Sequence, residues 1–225
     1  MKYKTVIFDM DGTILNTLED MQESINWALV EGGFPPRSLG EVRRFVGNGN
    51  HLLAERAVPE GTPPEKVEEV FRNFHKHYRL HCMDHTRPYE GITGLLQMLR
   101  DRGIHTAVVS NKADYAVQEL EERFFPGLFD GAVGEREGIR RKPWPDSVFS
   151  VMEALGAEKE STVYVGDSEV DIETAEHAGI PCISVDWGFR TKPFLIEHGA
   201  SVIAETMEEL AALLTGDVAG KVRHG

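Results

Sequence analysis

The amino-acid sequence predicts an α/β fold: a doubly wound, parallel, Rossmann-like sheet with a helical domain inserted after its first strand. The chain begins with the apolar run Val6-Ile7-Phe8, which is typical of a parallel strand buried on both faces. From residue 90 onward, helical and strand patterns alternate, as they do in a doubly wound sheet. Between these two regions the pattern is helical alone, so the helical block interrupts the sheet.

Length and composition limit the class of protein. The 225 residues are 41% hydrophobic and 27% charged, enough for a core domain and a smaller second domain. A net charge of −13 without a long basic run argues against nucleic-acid and membrane partners. Cys82 and Cys182 are isolated, as in a reducing cytosol. We therefore expect a cytoplasmic protein. We expect it to be a monomer or a homodimer, and the sequence does not decide between the two.

The first half of the chain predicts helices after the opening strand. Apolar residues recur at helical spacing over 17–30, and Gly32-Gly33 follows as a helix end. Capping boxes at 38–41 and 62–65 begin two further helices, the second with an apolar face that includes Phe74 and Tyr78. This block is the predicted cap domain, 16–84, and the predicted core comprises 1–15 and 85–225.

The second half predicts alternating helices and strands, most of the helices closed by glycine. A tail over 216–225 is expected to fray. The predicted helices cover 90–102, 113–124, 146–155, 169–178 and 207–214, and the predicted strands cover 106–110, 131–133, 162–165, 182–185 and 201–203.

Polar side chains follow several of these strands. In a parallel sheet the carboxyl ends of the strands meet at one edge, where ligands bind. We therefore expect them to share one cleft. They are Asp9, Asp11, Ser110, Asn111, Asp167 and Asp171, with Lys142 in a nearby loop.

Each residue type in this set has a chemical use. Closely spaced carboxylates bind Mg²⁺, and one carboxylate can attack phosphorus to form an aspartyl-phosphate. A lysine and a hydroxyl can stabilise the transferring phosphoryl group, and a second carboxyl can donate and then accept a proton.

These motifs resemble those of the haloacid dehalogenase superfamily of phosphatases. The resemblance rests on the sequences at 9–13, 110–111, 142–145 and 166–171 and covers essentially the whole chain. It implies that Asp9 is the nucleophile and a metal ligand, and that Asp11 is the general acid/base and gives its carbonyl to Mg²⁺. It also implies a mobile helical cap.

The resemblance assigns the remaining residues as well. Ser110 and Lys142 would hold the phosphate, with Thr13 and Asn111 also on the substrate side. Asp167 would bind the metal, and Asp171 would support it through water or through Lys142.

Within the superfamily, Asp11 favours phosphate esters, because members that release halide or cleave phosphonates lack this second aspartate. The sequences at 43–49 and 185–190 resemble phosphoglycolate phosphatases, although Asn16 and Glu90 depart from their usual pattern. The expected substrate is a small phosphorylated metabolite, with 2-phosphoglycolate favoured. β-Phosphoglucomutases and pyrophosphate-cleaving or sugar-phosphate relatives share the motifs and stay open.

A substrate carboxylate would need a partner when the cap closes over it. Arg43 or Arg44 could pair with it, and the backbone around Gly47, Asn48 and Gly49 could donate hydrogen bonds to it.

Two other interpretations apply to these sequence features. A phospho-aspartate signalling module uses similar residues but is smaller and lacks a helical insertion. His77, His81 and His85 could chelate a soft metal, although we interpret them as part of a solvated linker.

Overall fold

A computed structural model of the chain describes residues 2–217. Of the predicted frayed tail, 216–225, only the first two residues fall in that range. No helix within it is both long enough and apolar enough to cross a membrane.

The described chain contains a six-stranded sheet with the order β5-β4-β1-β6-β7-β8. Every pairing between neighbouring strands in it is parallel. The predicted α/β fold is therefore confirmed. The strands are β1 (Thr5–Phe8), β4 (His105–Ala113), β5 (Gly131–Glu135), β6 (Thr162–Gly166), β7 (Cys182–Val185) and β8 (Ile203–Ala204).

The opening apolar run forms β1, in the middle of this sheet. Val6, Ile7 and Phe8 are completely buried. Val6 and Phe8 pack into one hydrophobic cluster and Ile7 into another, because successive side chains of a strand point to opposite faces. Both faces of the sheet are thus covered, as the apolar run predicts.

Helices cover the two faces of the sheet. Two of their predicted bounds, 146–155 and 169–178, agree with the structure, and the others differ by one or two residues. The helix Lys192–Glu197 was not predicted, because six residues are too few for a clear periodic pattern. The helices are α5 (Ile92–Asp101), α6 (Asp114–Phe124), α7 (Asp146–Leu155), α8 (Glu169–Ala178), α9 (Lys192–Glu197) and α10 (Met207–Thr215).

The helical block after β1 has a hydrophobic cluster of its own, which we call the cap cluster. Phe74 and Tyr78 lie in it, and Phe189 joins it from the sheet side of the molecule. We call these four helices and the loops between them the cap, and the rest of the described chain the core. The cap helices are α1 (Leu18–Glu31), α2 (Leu39–Phe45), α3 (Asn50–Ala57) and α4 (Pro64–His81).

The two capping boxes predicted in the cap have different outcomes. At the start of α2, the Ser38 side chain accepts a hydrogen bond from the Glu41 backbone, and the Glu41 carboxylate accepts one from the Ser38 backbone. This prediction is confirmed. The box at 62–65 is wrong, because the Thr62 hydroxyl donates to the carbonyl of Pro59 at 2.6 Å and Pro63 is the N-cap.

Two short strands join the cap to the core. They are β2 (Leu15–Asn16) and β3 (Arg87–Pro88), and they pair antiparallel. Sequence patterns could not predict them, since two residues show no alternation. The chain therefore leaves the core for the cap and returns to it at neighbouring points.

Candidate active site

The predicted polar residues meet at the carboxyl ends of the parallel strands, beneath the cap. Asp9 and Asp11 follow β1, Asp167 follows β6, and Lys142 precedes α7. A small cavity lies between this edge and the cap. Its lining on the core side includes Asp9, Asp11, Ser110, Asn111, Lys112, Lys142, Asp167 and Arg190.

Asp9 is buried at the centre of this edge. Its Oδ1 forms an ion pair with Nζ of Lys142 at 2.9 Å. Apart from this ion pair, Oδ1 has no hydrogen-bond partner among residues 2–217. Burial raises the pKa of Asp9 to about 7, although the Lys142 ammonium opposes the shift.

Lys142 is held by three groups. Its Nζ donates to Oδ1 of Asp171 at 2.7 Å and to the Tyr164 hydroxyl at 3.1 Å. The side-chain amide of Asn111 accepts a hydrogen bond from the backbone N–H of Lys142 at 2.8 Å and donates one to the Lys142 carbonyl at 3.1 Å. Asn111, predicted on the substrate side, lines the cavity and also fixes the loop that carries the lysine.

Asp171 is completely buried and accepts several hydrogen bonds. Its Oδ1 accepts a hydrogen bond from the Lys142 ammonium. Its Oδ2 accepts hydrogen bonds from the Ser168 hydroxyl at 2.6 Å and from the backbone N–H groups of Asp167 and Ser168. The carboxylate thus orients both the lysine and the loop after β6. Its geometry is that of a supporting residue beside the cavity.

Asp167 lies next to Asp9 and is also buried. Its Oδ1 accepts the Thr13 hydroxyl at 3.2 Å, and Oδ2 accepts the Phe189 backbone N–H at 2.6 Å. A Cβ atom at Gly12 or Gly188 would overlap with the Asp167 side chain. Thr13, predicted on the substrate side, therefore contacts Asp167 and is not among the residues that line the cavity.

The electrostatics of this group favour a bound cation. Burial raises the pKa of Asp167 well above its ordinary value, and the charges of Asp171 and Asp9 add to the shift. One carboxylate oxygen from each of the three aspartates lies within 4.8 Å of the other two. No other group of this kind is present in the chain from 2 to 217.

The donor set can be tested against the metal that the sequence predicts. All three side chains offer oxygen, which hard cations such as Mg²⁺ prefer over nitrogen or sulfur. Apart from the ion pair with Lys142, the buried Oδ1 of Asp9 has no hydrogen-bond partner in the described chain, and a bound metal ion would coordinate it. The residues therefore fit a magnesium site. The Asp171 oxygens mainly accept hydrogen bonds from Lys142 and from the loop after β6.

Asp11 pairs with Lys112, which is not among the predicted site residues. Nζ of Lys112 lies 2.9 Å from both carboxylate oxygens of Asp11 and 2.7 Å from the hydroxyl of Tyr78. The regular pattern of a strand would place neighbouring side chains on opposite faces. An irregularity in the pairing of β4 between Val109 and Ala113 changes that pattern, and sequence gives no signal of it.

The cap side of the cavity is formed by the loop between α2 and α3 and by neighbouring helices. Gly47 and Gly49 line it and both have positive φ, which glycine adopts without strain. The other cap residues that line it are Met21, Val46, Asn50 and Leu53.

The structure places the predicted cap cations away from the cavity lining. Arg43 donates to the carbonyl of Gly188, and Arg44 is exposed. Asn48 accepts from Arg56 at 2.8 Å and is also not a lining residue. The structure does not bring Arg44 and Asn48 together with Asp9 and Asp11.

Arg190 lines the cavity and is not among the predicted site residues. Its guanidinium pairs with Glu169 at 2.8 Å. It also donates to the carbonyls of Arg43 and Val46, at 3.1 and 2.9 Å. Arg190 thus connects the core to the C-terminal end of α2 and lies against Gly47.

His77 and His81 lie in α4 and not in a linker, and their rings stack with 4.2 Å between centroids, but each histidine contacts a different polar side chain. His77 binds the Ser24 hydroxyl at 3.0 Å, His81 binds Asp84 at 2.7 Å, and His85 lies 3.3 Å from Glu23. Within the part of the chain that the structure describes, these histidines are not part of a metal-ligand cluster.

Comparison with known proteins identifies the family. The family model for haloacid dehalogenase-like hydrolases matches residues 6–185. The chain belongs to the haloacid dehalogenase-like hydrolase family. The predictions of this superfamily, of its fold and of a phosphatase are confirmed.

Relatives within the haloacid dehalogenase-like family narrow the resemblance. A phosphoglycolate phosphatase from Pseudomonas putida is 30% identical over 95% of this chain and 79% of its own. One from Cereibacter sphaeroides is 36% identical over 86% of this chain and 91% of its own. Both relatives carry the name phosphoglycolate phosphatase.

A solved structure from the same family is similar throughout. It comes from Lactobacillus delbrueckii subsp. bulgaricus, and its assignment as a phosphoglycolate phosphatase is provisional. Its sequence is 39% identical, the match covers 95% of this chain and 99% of that one, and the TM-score is 0.92.

Proposed function

We propose that this protein is a Mg²⁺-dependent phosphatase that hydrolyses a small anionic phosphomonoester, 2-phosphoglycolate, through an aspartyl-phosphate on Asp9. The observation that carries the proposal is the position of Asp9. Asp9 lines the cavity beside Lys142 and Asp167, and apart from its ion pair with Lys142 its buried Oδ1 has no hydrogen-bond partner among residues 2–217. A carboxylate in this position can act as nucleophile and as metal ligand.

In the first step, an oxygen of Asp9 forms a bond to phosphorus and the bond from phosphorus to the ester oxygen breaks. The departing alkoxide takes a proton from the carboxyl of Asp11. Lys142 and Ser110 line the cavity beside Asp9 and stabilise the phosphoryl oxygens. Asp171 and Tyr164 hold the Lys142 ammonium in place, so its charge needs little reorganisation.

In the second step, water attacks phosphorus and the bond from Asp9 to phosphorus breaks, which releases phosphate. Asp11, now a carboxylate, accepts the proton that the water loses. Asp9, Asp167 and the carbonyl of Asp11 would hold Mg²⁺, which neutralises charge on the phosphoryl group when it is bound. Thr13 and Phe189 orient the Asp167 carboxylate for this role.

The cap excludes water from the reacting groups and contributes to substrate selection. The helical block 16–84 acts as this cap, inserted into a core of 1–15 and 85–225. Met21, Val46 and Leu53 supply an apolar cover over the cavity. A small substrate with a second anionic end needs a cation at this side, because burial of an unpaired carboxylate is costly.

Arg190 is placed to meet that requirement. It lines the cavity next to the loop that contains Gly47 and carries a charge delocalised over a planar fork. Its contacts with Glu169 and two carbonyls fix its orientation. Four of the five guanidinium N–H groups are used in contacts with Glu169 and the two carbonyls, so in the proposed complex the remaining N–H on Nη1 and backbone N–H groups of the loop receive the carboxylate of phosphoglycolate.

A panel of small phosphates tests the proposed function. Purified protein is assayed for phosphate release with and without Mg²⁺, on 2-phosphoglycolate, sugar phosphates, pyrophosphate and p-nitrophenyl phosphate. We expect Mg²⁺-dependent release with the highest kcat/KM on 2-phosphoglycolate and none from Asp9→Asn. A sugar phosphate or pyrophosphate preferred by tenfold would contradict the substrate assignment. Phosphorylation of Asp9 without turnover would instead indicate a signalling module.

A further inference from the structure

Lys112 connects three groups at the boundary between cap and core. Its Nζ lies 2.9 Å from each oxygen of Asp11 and 2.7 Å from the hydroxyl of Tyr78. Its side chain is only 1% exposed, so these contacts are shielded from water. A buried ion pair with this geometry restricts the position of both partners.

The number of donors limits what Lys112 can do. An ammonium carries three N–H groups, and the three contacts can occupy all of them. Lys112 lines the cavity but has no further donor for a substrate in this arrangement. Its contacts therefore fit a residue that holds Asp11, and they do not fit one that binds the substrate.

The contact with Tyr78 crosses from the core to the cap. Tyr78 lies in α4, is 2% exposed, and belongs to the cap cluster. Its ring stacks on Phe74 with 5.2 Å between centroids and an angle of 13°, which fixes the direction of the hydroxyl. Lys112 and Asp11 belong to the core. The position of Tyr78 is thus set by the packing of the cap, while its hydrogen bond acts on the core.

The local structure of β4 makes this link possible. Ser110, Asn111 and Lys112 are all buried, although consecutive residues of a regular strand face opposite sides. The irregular pairing between Val109 and Ala113 redirects the end of the strand. Lys112 therefore reaches the carboxylate of Asp11 from the same strand end that presents Ser110 to the cavity.

We propose that Tyr78 and Lys112 form a positioning link that sets the carboxyl of Asp11 when the cap lies against the core. The proposal rests on the proposed function, in which Asp11 transfers a proton to the leaving group; in that step one oxygen of the carboxyl carries the proton and the other remains the acceptor for Lys112. Efficient transfer requires a defined distance and direction, so a carboxyl held by the cap acts best when the cap is in place. Cap docking and proton transfer are coupled through this link.

The first experiment removes the Tyr78 hydroxyl alone. Tyr78→Phe is assayed on an alkyl phosphate, whose leaving group needs a proton, and on p-nitrophenyl phosphate, whose leaving group hardly does. We expect kcat/KM on the alkyl phosphate to fall about tenfold and that on p-nitrophenyl phosphate to fall less than about twofold. Equal losses on the two substrates would overturn the proposal, because a purely structural role does not distinguish leaving groups.

Tyr115→Phe is the matched control. Tyr115 lies at the start of α6, and the Arg79 guanidinium of α4 lies 5.6 Å from its ring centroid, so it also contacts the cap. Loss of its hydroxyl should leave the ratio between the two substrates unchanged. A thermal unfolding curve for each variant checks that it is folded. A ratio that changes as much in Tyr115→Phe as in Tyr78→Phe would overturn the proposal.

A double-mutant cycle tests whether Tyr78 acts through Asp11. Tyr78→Phe is introduced into the wild type and into Asp11→Asn, and kcat/KM is measured on the alkyl phosphate. We expect no further loss in the Asp11→Asn background, since the group to be positioned is already absent. If the losses in kcat/KM from Tyr78→Phe and Asp11→Asn are fully additive while the wild type is active, the positioning link is overturned and the proposed function stands. A wild type that releases no phosphate from any substrate would overturn the proposed function and the link with it.

Discussion

The ammonium of Lys142 donates to the buried carboxylate of Asp171 at 2.7 Å, across 29 positions of sequence. The same carboxylate accepts three hydrogen bonds from the loop that carries Asp167. One side chain therefore fixes both the proposed phosphate-binding lysine and a proposed metal ligand. This arrangement gives the first prediction.

Asp171→Asn should destabilise the protein and reduce its activity. An amide cannot balance the buried Lys142 charge, and removal of one partner from a buried pair costs about 3–5 kcal/mol. Chemical denaturation gives the free energy of unfolding. Glu176→Gln, at an exposed site on α8, is the control and should stay close to wild type. A loss below about 1 kcal/mol in Asp171→Asn, which is the value of a surface ion pair, would contradict the structural role.

Asp9→Asn should abolish turnover but stabilise the metal-free protein. Burial raises the pKa of Asp9 from 3.8 to about 7, so the folded state retains a proton that the unfolded chain loses. The destabilising effect of the ionised carboxylate is therefore complete above pH 7, declines below it, and vanishes below about pH 4. In excess chelator, the Tm difference between Asp9→Asn and wild type should be positive at pH 8 and smaller at pH 5. A lower Tm for Asp9→Asn at pH 8 would contradict this prediction.

Added Mg²⁺ should reverse that order. A ligand that binds only the folded state stabilises it, by about 2.7 kcal/mol at a concentration of 100 times Kd. Wild-type Tm should rise with Mg²⁺, whereas Tm of Asp9→Asn and Asp167→Asn should respond weakly because a ligand is lost. Asp101→Asn, at an exposed site of the core, is the control and should respond as the wild type does. Equal Mg²⁺ responses in all four proteins would argue against this metal site.

The carboxylate of phosphoglycolate should depend on Arg190. Hydrogen bonds to charged groups contribute about 1.5–3 kcal/mol, so Arg190→Met should lower kcat/KM for phosphoglycolate roughly 10- to 100-fold. The loss on p-nitrophenyl phosphate, which has no carboxylate, should be much smaller. Arg44→Met decides between the two arginines, because the sequence predicts Arg44 for this role and the structure exposes it. A selective loss in Arg44→Met alone would favour the sequence-based prediction.

Gly188→Ala should weaken the region around Asp167. A Cβ atom there would overlap with Cβ of Asp167 and with the carbonyl of Gly12. Overpacking of this kind costs typically about 1–3 kcal/mol, and displacement of Asp167 should also reduce the Tm response to Mg²⁺. Gly94→Ala is the control, because open space surrounds that helical position. Wild-type stability and Mg²⁺ response in Gly188→Ala would refute the close approach.

Sequence patterns could predict the sheet edge because its residues follow strand ends. Asp9, Lys142 and Asp167 each lie beside a strand or helix with a clear pattern, Ser110 lies in such a strand, and parallel strands bring these positions together. The order of the strands places them in one cavity. These predictions needed only local periodicity and one rule of sheet geometry.

The cap side could not be predicted in the same way. The partner of Asp11 is Lys112, which depends on an irregularity in β4 that sequence does not encode as a pattern. Arg190 lies in the cavity because of long-range contacts with Glu169 and α2. Arg44 has the expected charge, yet the rotation of α2 exposes it. Helix orientation depends on packing between distant segments, and a local pattern cannot supply it.

The antiparallel pair of β2 and β3 has a consequence for protein engineering. Because Leu15 pairs with Pro88, the excursion of the chain through the cap begins and ends at adjacent positions. A short glycine-rich linker could therefore bridge the gap, since closure of a short flexible loop costs only a modest amount of entropy. Deletion of the intervening helices, or their exchange for those of another family member, would leave the register of the sheet intact. The cap is thus an insertion that can be exchanged without interrupting a strand of the six-stranded sheet.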